Sequence, residues 1–159
     1  MEWAPLGITV DIPGTGQRQF THLVLDFTGT LSAGGALLPG VAERLQELSR
    51  RLSITVLTAD TFGTARDALA GLPVRIALIT TGDEKAAFVG QVGAESVVAI
   101  GNGVNDVPMV EQAALGIAVI GPEGAAGALL RVADIAVREI LDALDLLLHP
   151  LRLRATLRP

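Results

Sequence analysis

The chain has 159 residues, half of them hydrophobic, with 12 basic against 17 acidic side chains for a net charge of −5. A chain of this length buries roughly 70% of its unfolded surface without covalent staples, and its acidic balance argues against a surface for nucleic acid or anionic membranes, which needs clustered Lys and Arg. With no cysteine, disulfides, thiolate catalysis and zinc–thiolate sites are excluded.

The opening MEWAPLGITV lacks a basic segment leading into a long apolar core, and no apolar run approaches 18 residues. Neither a signal peptide nor a membrane span is expected, and the default is a soluble cytoplasmic protein. Gly7 to Ile12, the turn Pro13-Gly14-Thr15-Gly16 and Gln17 to Phe20 read as a β-hairpin, expected to cover a sheet edge. The apolar strand Leu23-Val24-Leu25 then ends at Asp26 and runs straight into the turn Phe27-Thr28-Gly29-Thr30-Leu31. Ligands of open parallel sheets bind beyond the carboxyl ends of the strands, where an aspartate can attack a substrate as well as bind a metal.

Leu31 to Gly40 is glycine-rich and reads as a short flap, after which Val41, Leu45, Leu48 and Leu52 recur at helical spacing. Strands are expected at Ser53 to Thr58, Val74 to Ile79, Val97 to Ile100 and Gly116 to Ile120. Helices are expected at Thr64 to Ala70, Glu84 to Gly93 and Val107 to Ala114. Further helices at Ala125 to Val132 and Glu139 to Leu148 flank a short edge strand at Ile135 to Val137. Near-continuous apolar strands alternating with helices imply an α/β fold: a doubly wound, Rossmann-like parallel sheet in three layers with right-handed crossovers. The expected organisation is one domain over 1–150, with the hairpin in 1–21 and the core in 22–148, and a tail at 149–159. Arg152, Arg154 and Arg158 in that tail read as part of a packed or frayed terminus in preference to an anion site. His22 and His149 are far apart and read as surface or strand-edge residues in preference to ligands.

Three further segments fall at strand ends or helix starts. Thr58-Ala59-Asp60 ends the second core strand, with a hydroxyl suited to a phosphoryl oxygen. Lys85 opens a helix after Gly82-Asp83-Glu84, where an ammonium can offset charge on a nucleophile and a phosphate. Gly101-Asn102-Gly103-Val104-Asn105-Asp106 follows a strand and combines glycines for a tight turn with oxygen donors suited to a divalent cation.

In this order the four segments resemble the haloacid dehalogenase (HAD) superfamily, with motif one at Asp26 to Leu31, motif two at Thr58, motif three at Lys85 and motif four at Gly101 to Asp106. Asp-Phe-Thr-Gly-Thr-Leu, Leu-Thr-Ala-Asp and Gly-Asn-Gly-Val-Asn-Asp-Val-Pro-Met are most similar to the phosphorylation-domain motifs of P-type ATPases, and in particular to small soluble P-type-ATPase-like proteins. That likeness extends through Thr58 to Gly63, Leu115 to Ile120 and Ala155 to Arg158. The resemblance implies a Mg²⁺-dependent phosphohydrolase in which Asp26 forms an aspartyl phosphate that water cleaves. It further implies Mg²⁺ held by Asp26, the Thr28 main-chain carbonyl, Asn102 and Asp106, and phosphate held by Thr58, Ala59, Lys85 and Asn105.

Two departures from that pattern stand out. Most phosphatases of the superfamily carry a second aspartate two residues after the nucleophile as general acid and base; here Thr28 stands there, and it cannot exchange protons near pH 7. Slow turnover on poor leaving groups follows. Asn102 stands where an aspartate usually binds Mg²⁺, and its neutral amide predicts weaker metal affinity. Asp60 has no role assigned by the resemblance. Neither the segment between Leu31 and Ile54 nor that between Thr58 and Lys85 can house a cap domain. The cleft is therefore open to a bulky or macromolecular phosphate, or covered by a neighbouring copy in a homo-oligomer. The competing reading is a catalytically weak regulatory or binding module on the same fold. A dinucleotide site at Gly101-Asn102-Gly103 is disfavoured, because the third glycine is absent and the loop follows the wrong strand.

Overall fold

The computed structural model describes residues 6–60 and 63–159. The first residues of the expected hairpin segment and the Thr61-Phe62 part of the resemblance lie outside the described residues. Among the described residues, the chain opens with an antiparallel hairpin, β1 (Ile8–Ile12) and β2 (Gly16–Phe20), followed by β3 (His22–Asp26). Two-residue strands β4 (Ser32–Ala33) and β5 (Ala36–Leu37) form the flap. Then come α1 (Val41–Leu48), β6 (Ser53–Thr58), α2 (Thr64–Ala68), β7 (Arg75–Leu78), α3 (Gly82–Val92) and β8 (Val97–Gly101). The chain continues through α4 (Val107–Gln112), β9 (Leu115–Val119), α5 (Gly127–Val132), β10 (Ile135–Val137), α6 (Ile140–Leu148) and α7 (Pro150–Leu157).

Six strands pair in the order β10-β9-β8-β3-β6-β7, all parallel. Side chains alternate across a strand, so a strand apolar at every position must be covered on both faces. That is what the packing shows. Leu23, Leu25, Ile54, Val56, Val98, Ile100, Ile117 and Val119 join the cluster beneath α1 and α6 through Val41, Leu45, Leu144 and Leu147. Val24, Val97, Ala99 and Ala118, one residue out of phase, join Val89, Met109, Val110 and Leu129 of α3, α4 and α5 on the opposite face. The doubly wound three-layer α/β arrangement is as the periodicity predicts.

The hairpin, however, does not cover an edge of this sheet. Thr21, between β2 and β3, donates its N–H to the Ser96 carbonyl and accepts from the Ser53 N–H, each at 2.9 Å, while Gly7 N–H reaches the Arg51 carbonyl at 2.9 Å. Those partners stand at the amino ends of the central strands, so the hairpin closes the floor of the sheet. Its inward residues Ile8, Val10, Ile12 and Phe20 are buried there. The tail is helical: α7 packs against β1 and α6 and buries Leu153. Element ends shift by a residue or two for local reasons. Helix α3 starts at Gly82 because the Thr81 hydroxyl accepts the Glu84 N–H at 3.2 Å and caps the first turn.

Candidate active site

Strand β3 carries Asp26 as its last residue, in register with Leu57 of β6, while Leu25 is in register with Ile100 of β8. Chain order runs outward from β3 through β6 and β7 on one side and through β8, β9 and β10 on the other. The reversal lies between β3 and β8, the place where open α/β sheets leave a crevice at their carboxyl ends.

Directly after Asp26 the backbone folds over sharply. The Phe27 carbonyl accepts N–H groups from Thr30, Leu31 and Ser32 at 3.2, 3.0 and 3.2 Å, and the Ser32 hydroxyl at 3.1 Å. Gly29 sits at φ +77°, and a Cβ there would come within 2.6 Å of Asn102 Nδ2, so both conformation and contact require glycine. The Thr30 hydroxyl lies 3.5 Å from Asp26 Oδ2 and 3.2 Å from Asn102 Oδ1. Having one hydrogen, it serves one of these oxygens at a time and brings both to a common neighbour.

Lys85, on the first turns of α3, is the sole lysine of the chain and is 1% exposed. Its Nζ donates to Asp26 Oδ1 at 3.1 Å and to Asp106 Oδ1 at 2.8 Å. Asp106, fully buried, also holds the loop after β8: its Oδ2 accepts the N–H groups of Asn102 and Gly103, both at 3.0 Å. Gly101 leaves room for this arrangement, since a Cβ there would stand 2.4 Å from the Asp106 carboxylate. The Asn102 side chain is oriented by donation from Nδ2 to the Gly124 carbonyl at 3.1 Å, which turns its oxygen toward Thr30.

Two carboxylates share one ammonium, which leaves a formal charge of −1 in a largely enclosed volume. Burial, and after it the Asp106 carboxylate, push the Asp26 carboxyl up to about 7 against the opposing pull of Lys85. For Lys85, burial acts to lower the pKa, but Asp26 and Asp106 outweigh it and hold the ammonium above its ordinary value.

The other predicted residues take separate positions. Thr58 is buried at the end of β6, one residue past the partner of Asp26, and its carbonyl accepts the Ile79 N–H at 2.9 Å. Ala59 is exposed, as are the side chains of Thr28 and Asn105. Asp60 Oδ2 accepts the Ala65 N–H of the first turn of α2 at 2.6 Å. His22 stands at the amino end of β3 and His149 between α6 and α7. Burial and then Arg75 lower the His22 pKa.

Sequence reasoning passed over two participants. Thr30 was inside the first motif but unassigned. The Gly124 carbonyl holds Asn102 across 22 residues, which no local pattern signals. The readable signal was the single lysine: a chain with eleven arginines that places its one lysine next to a glycine-aspartate helix start marks that lysine as specific.

Among the described residues, no three His, Cys, Asp or Glu side chains surround a common point. A divalent cation here would need a mixed oxygen set, and the donors facing one another are of the hard type that Mg²⁺ takes: the carboxylate Asp26 Oδ2 and the amide Asn102 Oδ1.

No family model matches the chain. It is 52% identical over 64 residues, 40% of its length and 69% of the relative's, to an uncharacterized protein of Methanocaldococcus jannaschii. Its fold matches the cobalt-bound deoxy-D-mannose-octulosonate 8-phosphate phosphatase of Haemophilus influenzae with a TM-score of 0.68 at 15% identity, covering 81% of this chain and 87% of that one. The corresponding phosphatase of Moraxella catarrhalis, in complex with magnesium, phosphate and KDO, matches with a TM-score of 0.64 at 19% identity over 81% and 86%. The catalytic domain of the CPx-ATPase CopB-B matches with a TM-score of 0.59 at 24% identity, over 70% of this chain and 45% of that one.

Proposed function

Since the chain belongs to one family with the Methanocaldococcus jannaschii protein and has the fold of the HAD hydrolases, we propose that it is a Mg²⁺-dependent phosphohydrolase working through an aspartyl phosphate on Asp26. The observation that carries this reading is the sole lysine, buried between Asp26 and Asp106 at the reversal of the sheet. A fixed cation beside a strand-end carboxylate is what in-line phosphoryl transfer uses, because positioning and charge neutralisation dominate that reaction. The phosphate and magnesium bound by the Moraxella catarrhalis enzyme support the same assignment.

In this reading an Asp26 oxygen attacks phosphorus while the bond from phosphorus to the leaving-group oxygen breaks, its electron pair departing with that oxygen. Lys85 stays an ammonium throughout and offsets charge on Asp26 and the phosphoryl group. The Thr58 hydroxyl, the Ala59 N–H and Asn105 hold the phosphoryl oxygens. Water then attacks phosphorus, the bond to Asp26 breaks, and inorganic phosphate leaves with the carboxylate restored. Mg²⁺ would be held by Asp26, the Thr28 main-chain carbonyl and Asn102, with Asp106 completing the charged set, and when bound it supplies further neutralisation of phosphoryl charge.

Thr28 cannot protonate the leaving group, so alkoxide esters should turn over about 10²–10⁴-fold more slowly than an enzyme with an acid there would allow. Good leaving groups escape most of that penalty. The small β4–β5 flap fits an uncapped cleft open to bulky substrates. The test is para-nitrophenyl phosphate hydrolysis with Mg²⁺ by the wild type and by Asp26→Asn; equal rates end the proposal. The exposed Thr28 side chain favours one second reading, a regulatory module with negligible turnover. Acid-quench labelling separates the two, since a stoichiometric phosphoenzyme without repeated turnover supports regulation.

A further inference from the structure

We propose that a cavity beside the nucleophile turn receives the organic portion of the phosphate ester, and that this portion is neutral and mainly apolar; the inference rests on the phosphohydrolase reading and specifies its substrate class. The cavity holds about 440 Å³, within the range of small-molecule sites. Leu38 and Pro39 from the end of the flap, Gly121 and Pro122 after β9, and Ile140 and Leu141 of α6 form its walls. Gly121 and Pro122 follow β9, Ile140 and Leu141 follow β10, and the flap itself follows β3, so the cavity opens at the carboxyl ends of the parallel sheet, on the same side as Asp26. Larger cavities, of about 700 and 630 Å³, lie against Gly7 and Ile8 of the hairpin and against His22 and Ser53, at the amino ends. No ester bound in them could reach the nucleophile.

Continuity with the site comes through a close approach of backbone and through hydrogen bonds. A Cβ on Gly121 would stand 3.4 Å from the Gly29 carbonyl, and Gly29 is three residues from Asp26, a span of at most about 10 Å. The Gly121 N–H donates to the Arg138 carbonyl at 2.7 Å, the Ala126 N–H to the Asn102 carbonyl at 2.8 Å, and Asn102 Nδ2 to the Gly124 carbonyl. The segment that runs on from Gly121 and Pro122 is therefore anchored to Asn102, the residue whose other side-chain atom faces Asp26 across Thr30. The walls are aliphatic, and the rim carries one charge of each sign, Arg138 and Glu139. A charged leaving group would lose water there without gaining a net counter-charge, whereas an aryl or alkyl group buries apolar surface.

The experiment compares wild type, Leu141→Trp and Pro122→Trp in two assays. One is calorimetric binding of 1-naphthylphosphonate, and the other is steady-state hydrolysis of 1-naphthyl phosphate and of acetyl phosphate, whose acyl group is too small to fill the cavity. Filling the cavity should weaken naphthylphosphonate binding and raise the KM for naphthyl phosphate by about tenfold, with kcat/KM for acetyl phosphate changed by less than about twofold. Pro122 is exposed, so its variant keeps the test valid should Leu141→Trp fail to fold. If acetyl phosphate is hydrolysed but naphthyl binding is indifferent to both substitutions, or both substrates suffer equally, the cavity assignment is overturned and the phosphohydrolase reading stands. If the wild type neither hydrolyses acetyl phosphate nor binds the phosphonate, both are overturned.

Discussion

Replacing Lys85 by Met keeps the apolar stem and deletes the ammonium. That ammonium lies 3.1 Å from Asp26 Oδ1 and 2.8 Å from Asp106 Oδ1. At an effective dielectric of about 20 each contact is worth on the order of 5 kcal/mol before desolvation, and removing one partner of a buried pair costs about 3–5 kcal/mol net. We predict a loss of that size at pH 8 by urea denaturation in EDTA. The pH dependence gives a second handle. Asp26 stands near 7 in the native state against an ordinary 3.8, so between those values the native protein holds a proton that the unfolded chain has released. Stability contributed by this group therefore falls as pH rises across that window. Without the ammonium the carboxyl moves higher still, the window extends upward, and the deficit should be smaller at pH 5, where Asp26 carries its proton. A loss below about 1 kcal/mol at pH 8, or one identical at pH 5 and pH 8, would refute the ion-pair reasoning.

Three other substitutions probe the site and its support. Gly29→Ala forces a side chain into φ +77° and against Asn102; we predict about 1–2 kcal/mol of destabilisation together with loss of Asp26 phosphorylation, and a variant matching the parent in both would remove the stated need for glycine. Asn102→Asp adds a charge toward the cation while losing the donor to the Gly124 carbonyl. Calorimetry should show tighter Mg²⁺ binding and denaturation in EDTA a loss of about 1–3 kcal/mol; no change in either would mean that the amide neither ties the loop nor faces the metal. Leu153→Ala, in the fully buried contact of α7, should cost about 2–5 kcal/mol in chemical denaturation, and a negligible cost would mean that the tail helix adds nothing to the fold.

The sheet was legible because Leu23 to Leu25 and Val97 to Ile100 are apolar at every position, and Ile54 to Leu57 at every position but the buried Thr55, a pattern that two-sided burial explains. Alternation in Ile8, Val10 and Ile12 announced a hairpin with one buried face but carried no information on its partner, which is why the floor of the sheet was mistaken for its edge. The tail gave a thin signal for a related reason: Leu153 is the residue that α7 fully buries, too few for a periodic stripe. At the site, residue types at strand ends pointed to Asp26, Lys85 and Asp106, which converge in space. What stayed hidden were the hydrogen bonds joining distant segments, such as Thr30 to Asn102 across 72 residues, because the partners become neighbours only once the sheet has formed.

The solitary lysine makes this molecule self-reporting. Amine-acylating reagents have one ε-amino target per chain, and in the native protein that nitrogen is sheathed by two carboxylates and out of contact with solvent. Acylation at residue 85, counted by mass spectrometry against time, would therefore measure how often the crevice breathes open, with no label added elsewhere on the side chains.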